Sequence, residues 1–258
     1  MEPVVTVLLA NRNYDKYLRG AIKSVLNQTY PKWQLCIIDD CSTDNSWSIV
    51  EDLFAQINTN RQEMNGLNIF SGNNGQQRFI GIKIPQNVGP SEARNIGIQL
   101  TLSETDVYAI LDADDEMYPN KLEKCLSKLL ISPDVAQVYA DYHIFNVETG
   151  NLTYEHKWPY SKRKLLEECI PHSASVLRKD ALLAVRDNNG FYDRNLVCAE
   201  DYDLWLRLSE KYMICHIPEA LSLVRVHKNN SVGYRSNQTW QQCWSYVAQK
   251  TRERNGQK

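Results

Sequence analysis

Apolar positions in the first half of the chain alternate between short continuous runs and stripes at helical spacing, the pattern of strands and helices taking turns. Val4 to Ala10 is rich in β-branched residues and suits a strand covered on both faces. Tyr17, Leu18, Ala21, Ile22, Val25 and Leu26 then recur at helical spacing, and Pro31 stops that helix. A second apolar run, Trp33 to Ile38, leads into Asp39-Asp40. Ser42-Thr43-Asp44 supplies cap residues for a helix through Ile49, Val50, Leu53, Phe54 and Ile57. The polar stretch from Asn58 to Gln77 predicts a long surface loop with at most a short strand at Leu67 to Phe70. Phe79 to Ile84 predicts a third strand and Ser91 to Leu102 a helix. Val107 to Leu111 predicts a fourth strand that runs into Asp112-Ala113-Asp114-Asp115, and Pro119 opens a helix from Leu122 to Leu130.

The second half is less regular. Val135 to Asn146 predicts a long strand, folded back at Glu148-Thr149-Gly150-Asn151 into a hairpin through Leu152 to His156. A short strand near Ala174 to Leu177, a helix from Glu200 to Glu210 and an apolar run from Met213 to Ile217 follow. Ser236 to Arg254 predicts a terminal helix with Trp240 and Trp244 one turn apart. No linker, repeat or low-complexity segment interrupts the chain, so the simplest expectation is one α/β domain built on a mostly parallel sheet.

Charge and composition narrow the chemistry. With 29 Lys+Arg against 31 Asp+Glu in 258 residues there is no basic excess to serve nucleic acid. The longest apolar stretch, Val4 to Ala10, falls far short of the roughly 18 to 20 residues that span a bilayer, so only peripheral membrane contact is left open. Met1-Glu2-Pro3 lacks the basic and apolar regions of a secretory leader. Seven cysteines make an odd count without a C-x-x-C pair, which predicts buried thiols in a cytoplasmic setting.

The acidic residues carry the strongest signal. Two predicted strands end in clustered carboxylates, Asp39-Asp40 and Asp112-x-Asp114-Asp115, and the carboxyl ends of parallel strands form the ligand crevice of an open α/β sheet. Clustered carboxylates repel one another unless a cation or hydrogen-bond donors offset the charge, which suits a hard divalent metal. Each cluster alone reads equally as a helix cap; two in one half-sheet favour a site. A phosphate loop, a nucleophile elbow, an H-E-x-x-H pair and a G-x-G-x-x-G after the first strand are all missing. The five histidines show no metal-ligand spacing. His227 stands apart, because the run Leu221 to Val226 can deliver it to the same crevice. The six tryptophans are core residues by default, although Trp and Tyr beside a polar cleft also suit stacking on a sugar face.

Five motifs in order resemble family 2 glycosyltransferases. They are Val5 through Leu18, Ser24 through Tyr30 with Ile37 through Asp44, Asn87 through Gly97, Leu111 through Asp115, and Ala199-Glu200-Asp201-Tyr202-Asp203-Leu204-Trp205. The resemblance implies a GT-A fold, Rossmann-like, with a smaller mixed acceptor-side region. It divides the domain into a nucleotide-sugar half (1–115), an acceptor half (116–235) and a C-terminal helix or tail (236–258). It also implies inverting, non-processive transfer from a nucleotide diphosphate sugar, expected to be a UDP-sugar, to a hydroxyl of a glycan or glycolipid, with Mn²⁺ or Mg²⁺ as cofactor.

Carried over position by position, Ala10, Arg12, Asp40, Arg94 and Asp112 fall around the nucleotide, with Asp40 reading the base. Asp114 and His227 fall at the metal, and Asp201 corresponds to the general base. Glu200 and Trp205 are expected on the acceptor side. Asn11 and Arg12 stand where the family usually has Thr-Tyr, and the Gln-x-x-Arg-Trp signature of processive synthases is missing.

The chemistry is consistent with these roles. A cation offsets the charge that develops on a departing diphosphate, and a carboxylate on the opposite face takes the proton of the incoming hydroxyl. Glu200 and Asp203 add charge near Asp201 and are expected to raise its proton affinity; the plain alternative is an acidic first turn of a helix. Two other functions are open to these residues. A haloacid-dehalogenase-like phosphotransferase also uses Asp-x-Asp, although Glu116 stands where that motif has Thr or Val, and a non-catalytic nucleotide-sugar-binding module would share the fold.

Overall fold

The computed structural model describes residues 2–230 and 236–256. In chain order, β1 (Val5–Asn11), α1 (Asp15–Leu26), β2 (Trp33–Asp40) and α2 (Ser46–Ala55) lead into a hairpin of β3 (Asn58–Met64) and β4 (Leu67–Asn73). Then come β5 (Arg78–Ile84), α3 (Gly89–Thr101), β6 (Val107–Asp112) and the short β7 (Glu116–Met117). The second half contains α4 (Lys121–Leu129), β8 (Val135–Asn146), β9 (Leu152–Glu155), α5 (Lys162–Glu167), β10 (Val176–Arg178) and α6 (Lys179–Val185). It closes with α7 (Glu200–Lys211), β11 (Met213–Val226) and α8 (Asn237–Arg254). The acceptor half expected to run to residue 235 thus ends in a stretch, 231–235, outside the described residues.

One sheet runs through both halves in the order β3-β4-β5-β2-β1-β6-β10-β8-β11-β7, with β9 on β8. The four central strands β5-β2-β1-β6 are parallel, as the alternating pattern predicts. The sheet as a whole is mixed rather than mostly parallel. The physical reasons are the β3-β4 hairpin, which adds antiparallel strands outside β5, and β10, which returns from the second half to lie antiparallel between β6 and β8, with β7 and β9 antiparallel on β11 and β8.

Alternation along the central strands builds two cores. Val5, Val7 and Leu9 of β1 face Leu18, Val25, Val50 and Leu122 of α1, α2 and α4, whereas Leu8 faces the opposite layer with Ile98 of α3 and Trp205 of α7. Helices therefore cover both faces, and only the strand ends are left for ligand. No helix is long and apolar enough to cross a membrane among the described residues.

The segment from Asn58 to Gln77 is a hairpin rather than the expected loop. Its turn residues Asn65 and Gly66 have φ of 53° and 78°, the two positive values of a type I′ turn. As an edge strand β3 is exposed almost throughout, so its sequence carries no buried alternation.

Helix α3 lies close on the sheet because it has no side chain at Gly97. A Cβ there would stand 2.6 Å from Leu8 Cδ1 and 2.8 Å from Ile38 Cδ1. Gly97→Ala should therefore lower stability by about 1–3 kcal/mol, despite the better helix propensity of Ala, as urea unfolding would measure. Unchanged stability would mean that α3 has room to lift.

Candidate active site

The carboxyl ends of the parallel strands meet in register: Ala10 of β1 lies between Ile38 of β2 and Asp112 of β6. Asn11, the next residue, donates from Nδ2 to Asp39 Oδ2 (2.9 Å) and Ser42 Oγ (3.1 Å), so it ties the ends of β1 and β2 together. Asp39 also accepts the Ser42 amide at 3.0 Å. Asp40 accepts the amides of Val88 (2.7 Å) and Gly89 (2.9 Å), which makes it a cap of α3 rather than of the helix that follows it in sequence. Arg12 is exposed at the mouth of this crevice.

Arg94 on α3 is buried beneath the crevice and joins its two sides. Its guanidinium donates to Asp112 Oδ1 at 2.8 Å and to Glu200 Oε1, at the start of α7, at 2.7 Å. Burial opposes its charge, but Asp112 and Glu200 more than offset that effect and hold the group cationic. In return, Arg94 and the Ser173 hydroxyl, which donates to Asp112 Oδ2 at 2.7 Å, keep the Asp112 carboxyl below its ordinary range against the opposing effect of burial.

The turn after β6 is organised by Arg225 of β11. Its amide donates to Asp115 Oδ1 (3.0 Å), its guanidinium to the Asp114 carbonyl (2.8 Å), and it pairs with Glu116. Asp115, expected as part of the acidic cluster, is thereby buried against backbone. Asp114 instead meets His227 Nε2 at 3.2 Å and accepts a hydrogen bond from Asn230 Nδ2 at 2.9 Å. Burial, with the charge of Asp112 beside it, pushes the Asp114 carboxyl up to about 7. His227 is held below its ordinary range by burial and by Arg225, which keeps the ring neutral. Tyr17, expected on the buried stripe of α1, lies against this ring, centroids 4.6 Å apart in a stacked arrangement.

Helix α7 begins on Ala199 in the left-handed conformation, φ 59°, strained backbone directly before the Glu200-Asp201 pair. Burial and the neighbouring Glu200 push the Asp201 carboxyl up to about 7, and the Tyr202 amide donates to its Oδ1 at 2.7 Å. Asp203 does not act on Asp201 as expected. It is buried on the other side of the helix, paired with Arg207 (2.9 Å) and Lys250 of α8 (3.2 Å). Trp205 is likewise corrected: it is wholly buried in the core, because the sheet and α8 cover the face of α7 that carries it, and it does not reach the acceptor side.

Ser173, Arg225 and Asn230 were not legible as site residues. Asn230 alone carries a signal, three residues beyond His227; Ser173 reaches Asp112 across 61 residues and leaves no pattern.

Among the described residues no group of three or more His, Cys, Asp or Glu side chains converges as a metal cage. Asp114 with a neutral His227 and a second carboxylate nearby nonetheless fits Mg²⁺ or Mn²⁺, which take one or two protein ligands and complete their shell with phosphate oxygens and water.

Acidic groups thus gather at the strand ends of this mixed sheet, beside the starts of α3 and α7. The sequence model of glycosyl transferase family 2 matches residues 6–181, and the chain belongs to that family. It is 29% identical over 216 residues to a chondroitin synthase of Escherichia coli, a match covering 83% of this chain but only 28% of that protein's length. Its fold is similar to S. aureus TarS in complex with UDP-GlcNAc (TM-score 0.65, 16% identity, 90% of this chain and 61% of that one). It is also similar to a mannosyltransferase from Pyrobaculum calidifontis in complex with GDP-Man and Mn²⁺ (TM-score 0.64, 14% identity, 96% and 70%). Family membership sets aside the haloacid-dehalogenase-like phosphotransferase.

Removing Arg94 leaves two carboxylates without their buried partner, so Arg94→Ala should cost about 3–5 kcal/mol at pH 7 in urea unfolding. The depressed Asp112 carboxyl contributes stability above its unfolded value, about 3.9, and loses it as pH falls through the folded value. The gap between wild type and variant should therefore narrow below about pH 4. A pH-independent gap would show that packing, not charge, is the larger contribution of Arg94.

Proposed function

We propose that this protein carries out an inverting, non-processive, metal-dependent transfer of a sugar from a nucleoside diphosphate sugar, first of all a uridine diphosphate sugar, to a hydroxyl of a glycan or glycolipid. The observation that carries this reading is the pair of Arg94 contacts, 2.8 Å to Asp112 and 2.7 Å to Glu200. They fix the Asp-x-Asp strand end and the Glu-Asp helix start against a common buried cation. The donor side, up to residue 115, and the acceptor side, from residue 116, would then face one crevice, with α8 packed behind.

On the donor side, each Asp40 oxygen accepts one backbone amide and keeps a lone pair that can receive the N3–H of uracil. Ala10 leaves the strand end open to the nucleotide, Arg12 stands at the exposed rim, and Asp112 is held for the ribose by Arg94 and Ser173. Asp114 and His227 would hold Mn²⁺ or Mg²⁺. When bound, the ion offsets the charge of the departing diphosphate.

On the acceptor side, Asp201 takes the proton of the attacking hydroxyl as the new bond forms opposite the leaving group. Its Oδ1 is fixed by the Tyr202 amide, which sets the direction of Oδ2. A carboxyl raised to about 7 is a stronger base than an exposed one and is still half ionised at neutral pH.

Asp114→Asn keeps the side-chain size and removes the charged ligand. Titration calorimetry should show Mn²⁺-dependent UDP binding weakened by about tenfold or more, with the fold intact. UDP should also compete better than GDP for the wild-type protein; the reverse order would remove Asp40 as a reader of uracil.

Asp201→Asn should lower kcat by roughly 10² to 10⁴ while UDP affinity changes less than about threefold. A base works deprotonated, so at saturating Mn²⁺ and donor, where the proposed metal holds Asp114 ionised, wild-type kcat should fall as pH drops below about 7 and level off above it, and the variant should lose that limb. Near-normal turnover, or a matched loss of UDP binding, would take Asp201 out of the role of base.

A further inference from the structure

The segment joining β9 to α5 displays an aromatic ring where burial would be the ordinary outcome. Trp158 is 60% exposed, yet its backbone is held firmly: its carbonyl accepts the Tyr139 hydroxyl at 2.5 Å, and the preceding amide, of Lys157, donates to Asp141 at 2.9 Å. An exposed tryptophan on anchored backbone pays little ordering cost when something stacks on it. Lys164 of α5 places its ammonium 3.2 Å from the ring centre and so covers one face, leaving the rest of the exposed ring to solvent. Glu168 balances Lys164 at 3.4 Å. Lys157 lies 5.9 Å from the Tyr142 ring, and no salt bridge involves it among the described residues.

The position of Lys157 connects this platform to the crevice. The Tyr142 ring is 4.5 Å from His172, whose neighbour Ser173 holds Asp112. The Lys157 charge bears on both His172 and Cys169, and Cys169 in turn feels Asp201 and Glu200. Helix α5 is joined to α7 through the Tyr202 hydroxyl, which donates to the Leu165 carbonyl at 2.7 Å. Lys157, next to Trp158 in sequence, thus lies within electrostatic reach of groups beside the proposed base.

We propose that Trp158, with Lys157 and Lys164, forms an acceptor subsite for an anionic sugar chain, one carrying carboxylate or phosphate groups. The open indole face meets the C–H face of a sugar ring, Lys164 backs the other face, and the Lys157 ammonium receives the negative charge. The proposal rests on the assignment of 116–235 to the acceptor, and it adds to that reading the acceptor's chemical class.

The test uses the whole chain with Mn²⁺ and UDP. The probes are an unsulfated chondroitin hexasaccharide, the same hexasaccharide with its carboxyls reduced, and a hexose phosphate oligomer, each titrated by calorimetry. At least one anionic probe should bind, the one that does distinguishing carboxylate from phosphate recognition, and the reduced hexasaccharide should bind about tenfold more weakly than its parent if the parent binds. Trp158→Ala should weaken the anionic probe by about tenfold or more and Lys157→Gln by about threefold or more. UDP affinity should stay within about twofold in both variants. Equal binding of neutral and anionic hexasaccharide, binding insensitive to both substitutions, or no binding of either anionic probe would overturn the proposal. Phosphatidylglycerol vesicles captured through Trp158 in place of the probes would overturn it too, making the surface a membrane contact. Failure of wild-type UDP binding would count against the donor assignment instead, and is read in the same titration.

Discussion

A single buried cation organises the reactive end of this molecule. Arg94 lies under the crevice, where an unpaired guanidinium would be strongly disfavoured, and its two carboxylate partners come from the end of β6 and the start of α7. The pairing is stabilising only when both elements are in place, so the same contact that satisfies the charge also fixes the end of β6 against the start of α7. Gly97, one turn further along α3, lets the helix lie close enough to the sheet for this geometry to hold.

The two carboxyls poised near neutrality owe their shifts to different surroundings. Asp114 is raised by burial and by the charge of Asp112, in a turn that Arg225 organises through backbone contacts. Asp201 is raised by burial and by Glu200, whose own charge is drawn toward Arg94. In the proposed roles, Asp114 would lose its proton when a cation binds, and Asp201 would accept the proton of an incoming hydroxyl. Asp115 and Asp203, their neighbours in sequence, are turned into the structure by Arg225 and by Arg207 with Lys250.

What could be read from the sequence follows from how local each feature is. β-Branched runs ending on acids located the central strands and their carboxyl ends, because a strand covered on both faces has a continuous apolar signature. The β3-β4 hairpin was passed over because an exposed edge strand has no such signature; only its Asn65-Gly66 turn announced it. Trp205 was misplaced for the converse reason. The acidic start of α7 suggests an exposed helix, whereas α8, arriving from the end of the chain, covers it. Arg94 was legible as a site residue, but its partner Glu200 lies 106 residues away, and Ser173 and Arg225 act across similar separations that leave no periodic trace.

The sheet order has a consequence for how the chain assembles during synthesis. β5, β2, β1 and β6 can pair once the first 112 residues have emerged, since none of their partners within that set lies later. At that stage β6 still lacks β10 on its far edge, and Arg94 has Asp112 but not Glu200. A nascent chain therefore keeps the β6 edge unprotected until β10 emerges, and Arg94 keeps one of its two partners until Glu200 follows, on the order of several seconds at ordinary elongation rates. The open edge closes with β10, and the buried cation gains its second partner only with the helix that carries the proposed catalytic base.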